Sequence, residues 1–173
     1  MLGPVAILVF TATVFFPGPA SAASCESLAS LSLPGARITG AVMVAASGTL
    51  PANCKVNGVA TPTSDSSIQF EVRLPLTGWN GKFNGIGNGG YGGTIPAVAG
   101  DGLARNYATA GTDMGHSAAD PVWALGHPEK IADWGYRANH VTAGLAKMII
   151  KAFYGAGPPC RTSRVAPTAG TKR

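Results

Sequence analysis

The order of the hydrophobic patterns along the chain restricts its fold more than any other feature. Residues 68–74 alternate apolar and polar side chains, which is typical of a half-buried antiparallel strand. A single long helical pattern, from about Glu129 to Tyr154, comes only after further short strand-like segments. This order predicts an α/β protein whose sheet has an antiparallel beginning and is incomplete, because a parallel sheet needs further βα units.

The strand-like segments are short and are separated by Gly, Pro, Asn and Ser. They cover residues 36–44, 55–60, 68–74, 82–87 and 107–111. Apolar residues in the helical segment are spaced alternately four and three apart, which predicts the face that the helix turns to the sheet. This apolar stripe consists of Trp134, Ala138, Val141, Leu145, Met148 and Ala152. Gly155 is expected to end the helix.

Residues 1–22 have the features of a cleaved export signal. The apolar run Val5–Phe16 is too short to cross a membrane comfortably, and Ala20-Ser21-Ala22 supplies the small residues at which signal peptidase cuts. No Lys or Arg precedes the run, so a buried helix or an anchor is the alternative. We expect cleavage after Ala22, a secreted or periplasmic mature protein, and no membrane attachment once the signal is removed.

The chain has three cysteines, Cys25, Cys54 and Cys160. In an oxidising compartment, Cys25 and Cys54 are the plausible disulfide, which would pin the mature N-terminus to the first strands. Cys160 is then left over. Three cysteines alone do not identify a pairing, so the bridge is an expectation.

The net charge of +5 comes mainly from the C-terminal tail. The last thirteen residues contain Arg161, Arg164, Lys172 and Arg173 and no acidic residue. In the rest of the chain, nine basic residues stand against eight acidic ones. A basic face for nucleic acid is therefore not expected.

The glycine-rich segment 85–93 is the most informative stretch for function. Gly85, Gly87 and Gly90 satisfy the GxGxxG pattern of dinucleotide-binding proteins, but that pattern must open a helix and requires an acidic residue about 20 positions later. Asp113 is the only candidate for that acid. The alternatives are a flexible loop, or an oxyanion-binding loop after the third strand of an α/β-hydrolase sheet.

Other catalytic signals are weak. Asp113 and His116 follow a strand and offer a carboxylate and an imidazole, but such pairs are more often hydrogen-bonding turn residues. His116, His127 and His140 lack the spacing of metal ligands, so no metal site is expected. The sequence has no GxSxG motif, and none of its serines sits at a predicted strand-to-helix elbow.

Several ordered motifs together resemble the tannase and feruloyl esterase family. They lie at residues 54–62, 68–75, 78–83, 87–91, 107–116, 136–140 and 146–147, within a resemblance that runs from about Cys25 to Gly155. The resemblance implies the N-terminal portion of an α/β-hydrolase fold. It also implies a secreted serine esterase whose substrates are small aromatic esters of gallic or hydroxycinnamic acids.

The resemblance also implies a mechanism in which a Ser attacks the ester, a His transfers protons and backbone amides hold the oxyanion. The family's Ser lies in a Gly-Cys-Ser-x-Gly-Gly elbow, with the Asp and the His much later. Of this machinery only the glycine loop carries over, to an oxyanion hole at Gly89, Gly90 and Tyr91. The catalytic Ser, Asp and His are expected to be absent here, as is the family's lid with its calcium, so no cofactor is expected.

The resemblance ends abruptly near Pro158–Cys160. Codon degeneracy allows the bases that encode residues 160–173 to be read in a shifted frame as a segment with the Gly-Cys-Ser-x-Gly-Gly elbow. We therefore expect residues 1–22 to be a signal peptide, 23–157 a partial hydrolase domain, and 158–173 an aberrant, frameshifted basic tail. A genuine, differently evolved C-terminus is the alternative. On the first interpretation the chain is an inactive esterase fragment; a non-catalytic binding module is the competing function.

Overall fold

The computed structural model describes residues 23–159, which form a mixed five-stranded sheet with a long helix packed on one face. The predicted signal peptide and residues 160–173 lie outside the described residues. The strands are β1 Ala36–Val44, β2 Asn53–Ala60, β3 Ile68–Pro75, β4 Phe83–Ile86 and β5 Ala108–Thr112. Their order in the sheet is β1-β2-β3-β5-β4. All pairs are antiparallel except β4–β5, so the predicted antiparallel beginning is confirmed.

Strand β3 lies in the middle of the sheet because its alternating residues supply the core. Ile68, Phe70, Val72 and Leu74 are fully buried. Gly58 of β2 stands opposite Phe70, and a Cβ there would lie 2.2 Å from the Phe70 Cζ. The sheet therefore needs glycine at position 58 so that the Phe70 ring can lie across the neighbouring strand.

The predicted disulfide between Cys25 and Cys54 is confirmed. Cys25 immediately precedes a short 3₁₀ helix, Glu26–Ser30, whose Leu28 is buried in the core. Cys54 lies in β2. The bridge thus fastens the beginning of the described chain to the antiparallel strands.

The helical segments are α1 Asp101–Ala104, α2 Pro128–Ala132 and α3 Ala138–Tyr154, with a π-helical turn, Asp133–Arg137, between the last two. The predicted single helix is therefore interrupted. Glycine at position 135 lowers the cost of leaving α geometry, and the buried carboxylate of Asp133 lies in this turn. No helix within residues 23–159 is both long and apolar enough to cross a membrane.

The predicted apolar stripe is confirmed except at Met148. Ala138 and Leu145 are buried, and Trp134, Val141 and Ala152 are partly buried against the core. Met148 is 42% exposed because Ile149 and Ile150, the next two residues along the helix, fill the core instead. The face that is buried consists of Ala138, Thr142, Leu145, Ala146, Ile149, Ile150 and Phe153. Gly155 ends the helix in the left-handed conformation, as predicted.

Candidate active site

The candidate site lies where β4 and β5 end. Because these strands are parallel, the segments that leave their carboxyl ends emerge at the same edge of the sheet. The glycine loop, residues 87–93, follows β4, and the turn Thr112–His116 follows β5. The two are joined at Gly93, whose amide donates to the Asp113 carbonyl at 3.0 Å and whose carbonyl accepts from the Ala118 amide at 2.9 Å.

The glycine loop has a backbone that few other residues adopt. Gly90, Gly92 and Gly93 have φ values of +57°, +75° and +87°. Within the loop, the Gly92 amide donates to the Gly89 carbonyl at 3.2 Å, and the Asn88 side-chain amide donates to the Thr94 carbonyl at 2.7 Å. The loop is therefore shaped by its own hydrogen bonds.

Three consecutive amides of this loop point to a binding role. Gly89, Gly90 and Tyr91 are exposed, and their main-chain N–H groups have no acceptor among residues 23–159. These are the residues that the sequence assigned to an oxyanion hole. The arrangement offers hydrogen-bond donors to an incoming oxygen atom.

The turn Thr112–His116 is held by side chains. Asp113 Oδ1 accepts from the Gln69 amide at 3.0 Å and from the Gly115 amide at 2.8 Å. Burial, the largest cause, raises the pKa of Asp113 to about 6, against the opposing effect of these hydrogen bonds. The negative charge of Asp133 raises the same pKa.

Asp133 is a second buried carboxylate next to this turn. It has no exposed surface, and a Cβ added to Gly115 would lie 3.0 Å from the Asp133 Cβ. Arg137 Nη1 lies 3.2 Å from Asp133 Oδ1, but its hydrogen bond goes to Glu129 Oε2 at 2.6 Å. Two buried carboxylates therefore lie near each other at the turn that follows β5.

A row of four rings leads away from the loop. The ring of Tyr91, which is 74% exposed, stacks on Trp134 with centroids 6.0 Å apart. Trp134 is 6.2 Å from Trp123, and Trp123 stacks on the buried His116 at 4.0 Å. We call these four residues the aromatic row. Sequence reasoning missed it because the rings come from separate segments with no shared periodicity, and Trp123 and Trp134 lie far from the glycine loop in sequence.

The dinucleotide interpretation of Gly85, Gly87 and Gly90 is not supported by the geometry. The next helix, α1, begins only at Asp101, so the motif does not open a helix. The carboxylate of Asp113 is buried and accepts two main-chain hydrogen bonds, so it is not available for a ribose.

The part of the chain that the structure describes shows no nucleophile with a base beside it. Ser117, the serine closest in sequence to the site, is exposed and accepts a hydrogen bond from the Ala119 amide at 3.2 Å. His127 is hydrogen-bonded to Asp65 at 2.8 Å. In residues 23–159 no three His, Cys, Asp or Glu side chains cluster as metal ligands would.

A family model described as tannase and feruloyl esterase matches residues 54–161, more than half of the chain. The chain belongs to the tannase and feruloyl esterase family. The resemblance inferred from the sequence motifs is thereby confirmed.

Relatives within the tannase and feruloyl esterase family are much longer than this chain. An uncharacterised esterase of Xanthomonas campestris pv. campestris is 42% identical over 146 residues, which is 77% of this chain and 25% of that protein. A probable feruloyl esterase B-2 of Aspergillus flavus is 33% identical over 59% of this chain and 20% of its own length. The crystal structure of feruloyl esterase B from Aspergillus oryzae superposes with a TM-score of 0.68 at 29% identity, covering 77% of this chain and 29% of that one.

Proposed function

We propose that this chain supplies the oxyanion-binding loop of a carboxylic-ester hydrolase, and that the serine nucleophile lies outside its described residues. One observation carries the proposal: the exposed, unpaired amides of Gly89, Gly90 and Tyr91 lie on a loop fixed at the carboxyl end of β4. Such preorganised donors stabilise the negative charge that develops on an ester oxygen during acyl transfer.

In this mechanism the nucleophilic serine attacks the ester carbonyl carbon, and the carbonyl oxygen becomes an oxyanion. Gly89, Gly90 and Tyr91 donate hydrogen bonds to that oxygen. Collapse of the tetrahedral intermediate expels the alcohol, and water then releases the acid. We infer that the described residues form the beginning of an α/β-hydrolase domain. In such domains one oxyanion donor comes from a loop that follows a strand near the beginning of the sheet, as the glycine loop follows β4 here.

The proposed substrates are small esters of aromatic acids, of the gallic or hydroxycinnamic type. The aromatic row supports this class, since Tyr91 carries both a candidate donor amide and the first ring of the row. A planar acyl group can stack on such rings while its carbonyl oxygen meets the amides. We propose a secreted or periplasmic location, supported by the disulfide between Cys25 and Cys54. No cofactor and no nucleic-acid partner enters the proposal.

The first test is turnover. The purified 173-residue chain is incubated with methyl ferulate and with methyl gallate, and release of the free acid is followed. We expect no sustained turnover above buffer, since an oxyanion hole without its nucleophile gives little catalysis. Sustained turnover would show that the chain itself supplies a nucleophile.

The second test addresses the donors. Ferulate, whose carboxylate is a stable substitute for the oxyanion, is titrated into ¹⁵N-labelled chain. We expect the amide resonances of Gly89, Gly90 and Tyr91 to shift in a saturable manner, with the Gly48 amide, in the distant β1–β2 turn, unchanged. If those three resonances stay fixed while other amides move, the loop is not the anion site.

Binding without turnover is a second candidate function, and the aromatic row is the observation that favours it. On this interpretation ferulate quenches tryptophan fluorescence in a saturable manner, and Trp134→Leu abolishes the response. Trp79→Leu is the matched control, because Trp79 also stacks on a tyrosine, Tyr154, but outside the site. Saturable binding of NAD would instead restore the dinucleotide interpretation.

A further inference from the structure

We propose that Asp113 is a positioning residue for the glycine loop. Its carboxylate holds the turn Thr112–His116 in the conformation that fixes Gly93, and through Gly93 it holds the amides of Gly89, Gly90 and Tyr91 in place. The consequence for ester cleavage rests on the proposed function, whereas the positioning itself does not.

Side-chain contacts join the turn to the sheet. Pairing of β3 with β5 ends at Phe70 and Thr112, and beyond that point the side chain of Asp113 continues the connection. Gln69 donates its amide to Asp113 Oδ1 at 3.0 Å, while the Asp113 amide donates to the Gln69 carbonyl at 3.1 Å. The Thr112 hydroxyl donates to that same carbonyl at 2.8 Å. The turn is thus fastened to a central strand by side chains.

The shape of the turn also depends on Asp113. Met114 and Gly115 have φ values of +70° and +85°, and the left-handed region is costly for methionine. Asp113 Oδ1 accepts the Gly115 amide at 2.8 Å, which closes the turn around these two residues. The oxygen that binds β3 therefore also holds the strained backbone.

The turn is in direct contact with the glycine loop. The Gly93 amide donates to the Asp113 carbonyl in the turn, and the Gly93 carbonyl accepts from Ala118, two residues beyond the turn. A Cβ on Gly93 would lie 2.4 Å from the Ala118 amide nitrogen. The Met114 side chain packs under Gly92, where a Cβ would lie 2.8 Å from the Met114 Cγ. Asn139 of α3 donates to the Met114 sulfur at 3.4 Å. A shift of the turn must therefore move the loop.

The charges around Asp113 favour this role over an ion pair. Asp113 makes no salt bridge within residues 23–159. The charged group that acts on it from the neighbouring helical segment is Asp133, of the same sign, and Arg137 behind it donates to Glu129. His116 lies on the same turn. A buried carboxylate without a cation is costly, so its contribution lies in the two amides that it accepts.

The test compares two substitutions in the 173-residue chain by amide hydrogen exchange. Asp113→Ala removes the acceptor, and we expect the Gly93 and Gly115 amides to exchange at least about tenfold faster. Asp113→Asn keeps an oxygen at the same position, and we expect exchange within about threefold of wild type. The Val56 amide, in β2, is the internal control and should not change in either variant.

Unchanged exchange at Gly93 in Asp113→Ala, or an equal acceleration in Asp113→Asn, would overturn the proposal. If Asp113→Ala does not fold, the amide resonances of Gly93 and Gly115 are followed as a function of pH in wild type and Asp113→Asn. Both resonances should titrate together in wild type only, since both amides depend on the Asp113 carboxylate; a Gly93 resonance that does not follow that of Gly115 overturns the proposal. Neither measurement uses a substrate, so failure of the proposed esterase role leaves both results interpretable.

Discussion

Two regions of the molecule are stabilised in different ways. The antiparallel region, residues 25–76, is held by strand pairing, by alternating side chains that fill a core, and by the disulfide. The loop region, residues 87–127, contains little regular structure. It is held by single hydrogen bonds such as those of Asp113 and Asn88, and by left-handed residues such as Met114 and Gly93.

The difference shows where stability and function reside. In the antiparallel region many similar contacts fix the same backbone geometry, so the loss of one of them leaves that geometry in place. In the loop region each hydrogen bond fixes one feature of the site, and a strained residue persists only because its neighbours hold it. The candidate oxyanion amides lie in the second region, consistent with the general placement of binding groups on loops supported by a rigid scaffold.

The largest expected effect is in the antiparallel region. Phe70 is fully buried in the central strand, so Phe70→Ala should lower the free energy of unfolding by about 3–5 kcal/mol. Urea denaturation measures the change. Val42→Ala is the control, because Val42 lies in β1 with 53% exposure and should cost at most about 0.5 kcal/mol. Equal effects of the two substitutions would mean that the core is not organised around β3.

The disulfide should come next. Cys25 and Cys54 are 29 residues apart, so replacing both with serine should lower the free energy of unfolding by about 2–4 kcal/mol. Reduction of the wild-type protein with dithiothreitol should have the same effect and should leave the double variant unchanged. A double variant with the wild-type urea midpoint would show that the bridge does not stabilise the antiparallel region.

The same division explains which features the sequence could predict. A period of two is local, so β3 was recognised from its alternation, and the Cys25–Cys54 bridge was expected from the oxidising compartment, although three cysteines alone do not identify a pairing. The four-residue helix α1 is too short for a periodic pattern. The spacing in α3 identified Ala138 and Leu145 correctly but included Met148, because spacing alone does not show that Ile149 and Ile150 fill the core there.

The site was predicted only in part for a related physical reason. Glycines at 89 and 90 signal close backbone approach by their identity alone. The contacts that hold the loop connect residues distant in sequence, such as Gln69 with Asp113 and Met114 with Asn139. The aromatic row likewise joins residues that are distant in sequence. Residue identity thus indicated the candidate donors, whereas the contacts that hold their loop depend on the tertiary fold.

A smaller effect, in the loop region, depends on pH. The pKa of Asp113 is raised from 3.8 to about 6, so between these values the folded state binds more protons than the unfolded state. The free energy of unfolding should therefore fall by about 1–3 kcal/mol as the pH rises from about 4 to about 6, and stay lower above that. Urea denaturation of wild type and Asp113→Asn over this range measures the difference.

The matched variant makes this prediction specific. Asp113→Asn keeps the oxygen that accepts from Gln69 and Gly115 but removes the charge, so it should lack this pH dependence. Its stability above about pH 7 should equal or exceed that of wild type. If the difference in the free energy of unfolding between the two proteins does not vary with pH, the pKa of Asp113 is not raised in the folded state.

The smallest effect concerns the contact that joins the end of α3 to the antiparallel region. The Tyr154 hydroxyl donates to the Pro75 carbonyl at 2.7 Å, and its ring stacks on Trp79 with centroids 4.1 Å apart. Burial raises the pKa of this hydroxyl, so it remains a donor at neutral pH. Tyr154→Phe keeps the stacking and leaves one carbonyl unpaired, so urea denaturation should show a loss of about 0.5–1.5 kcal/mol. Tyr91→Phe, at an exposed ring, should change stability by less than about 0.5 kcal/mol. A loss of stability in Tyr154→Phe as large as that in Phe70→Ala would mean that the packing of the helix on the antiparallel strands depends on this one hydrogen bond. Dependence on single hydrogen bonds would then not be confined to the loop region.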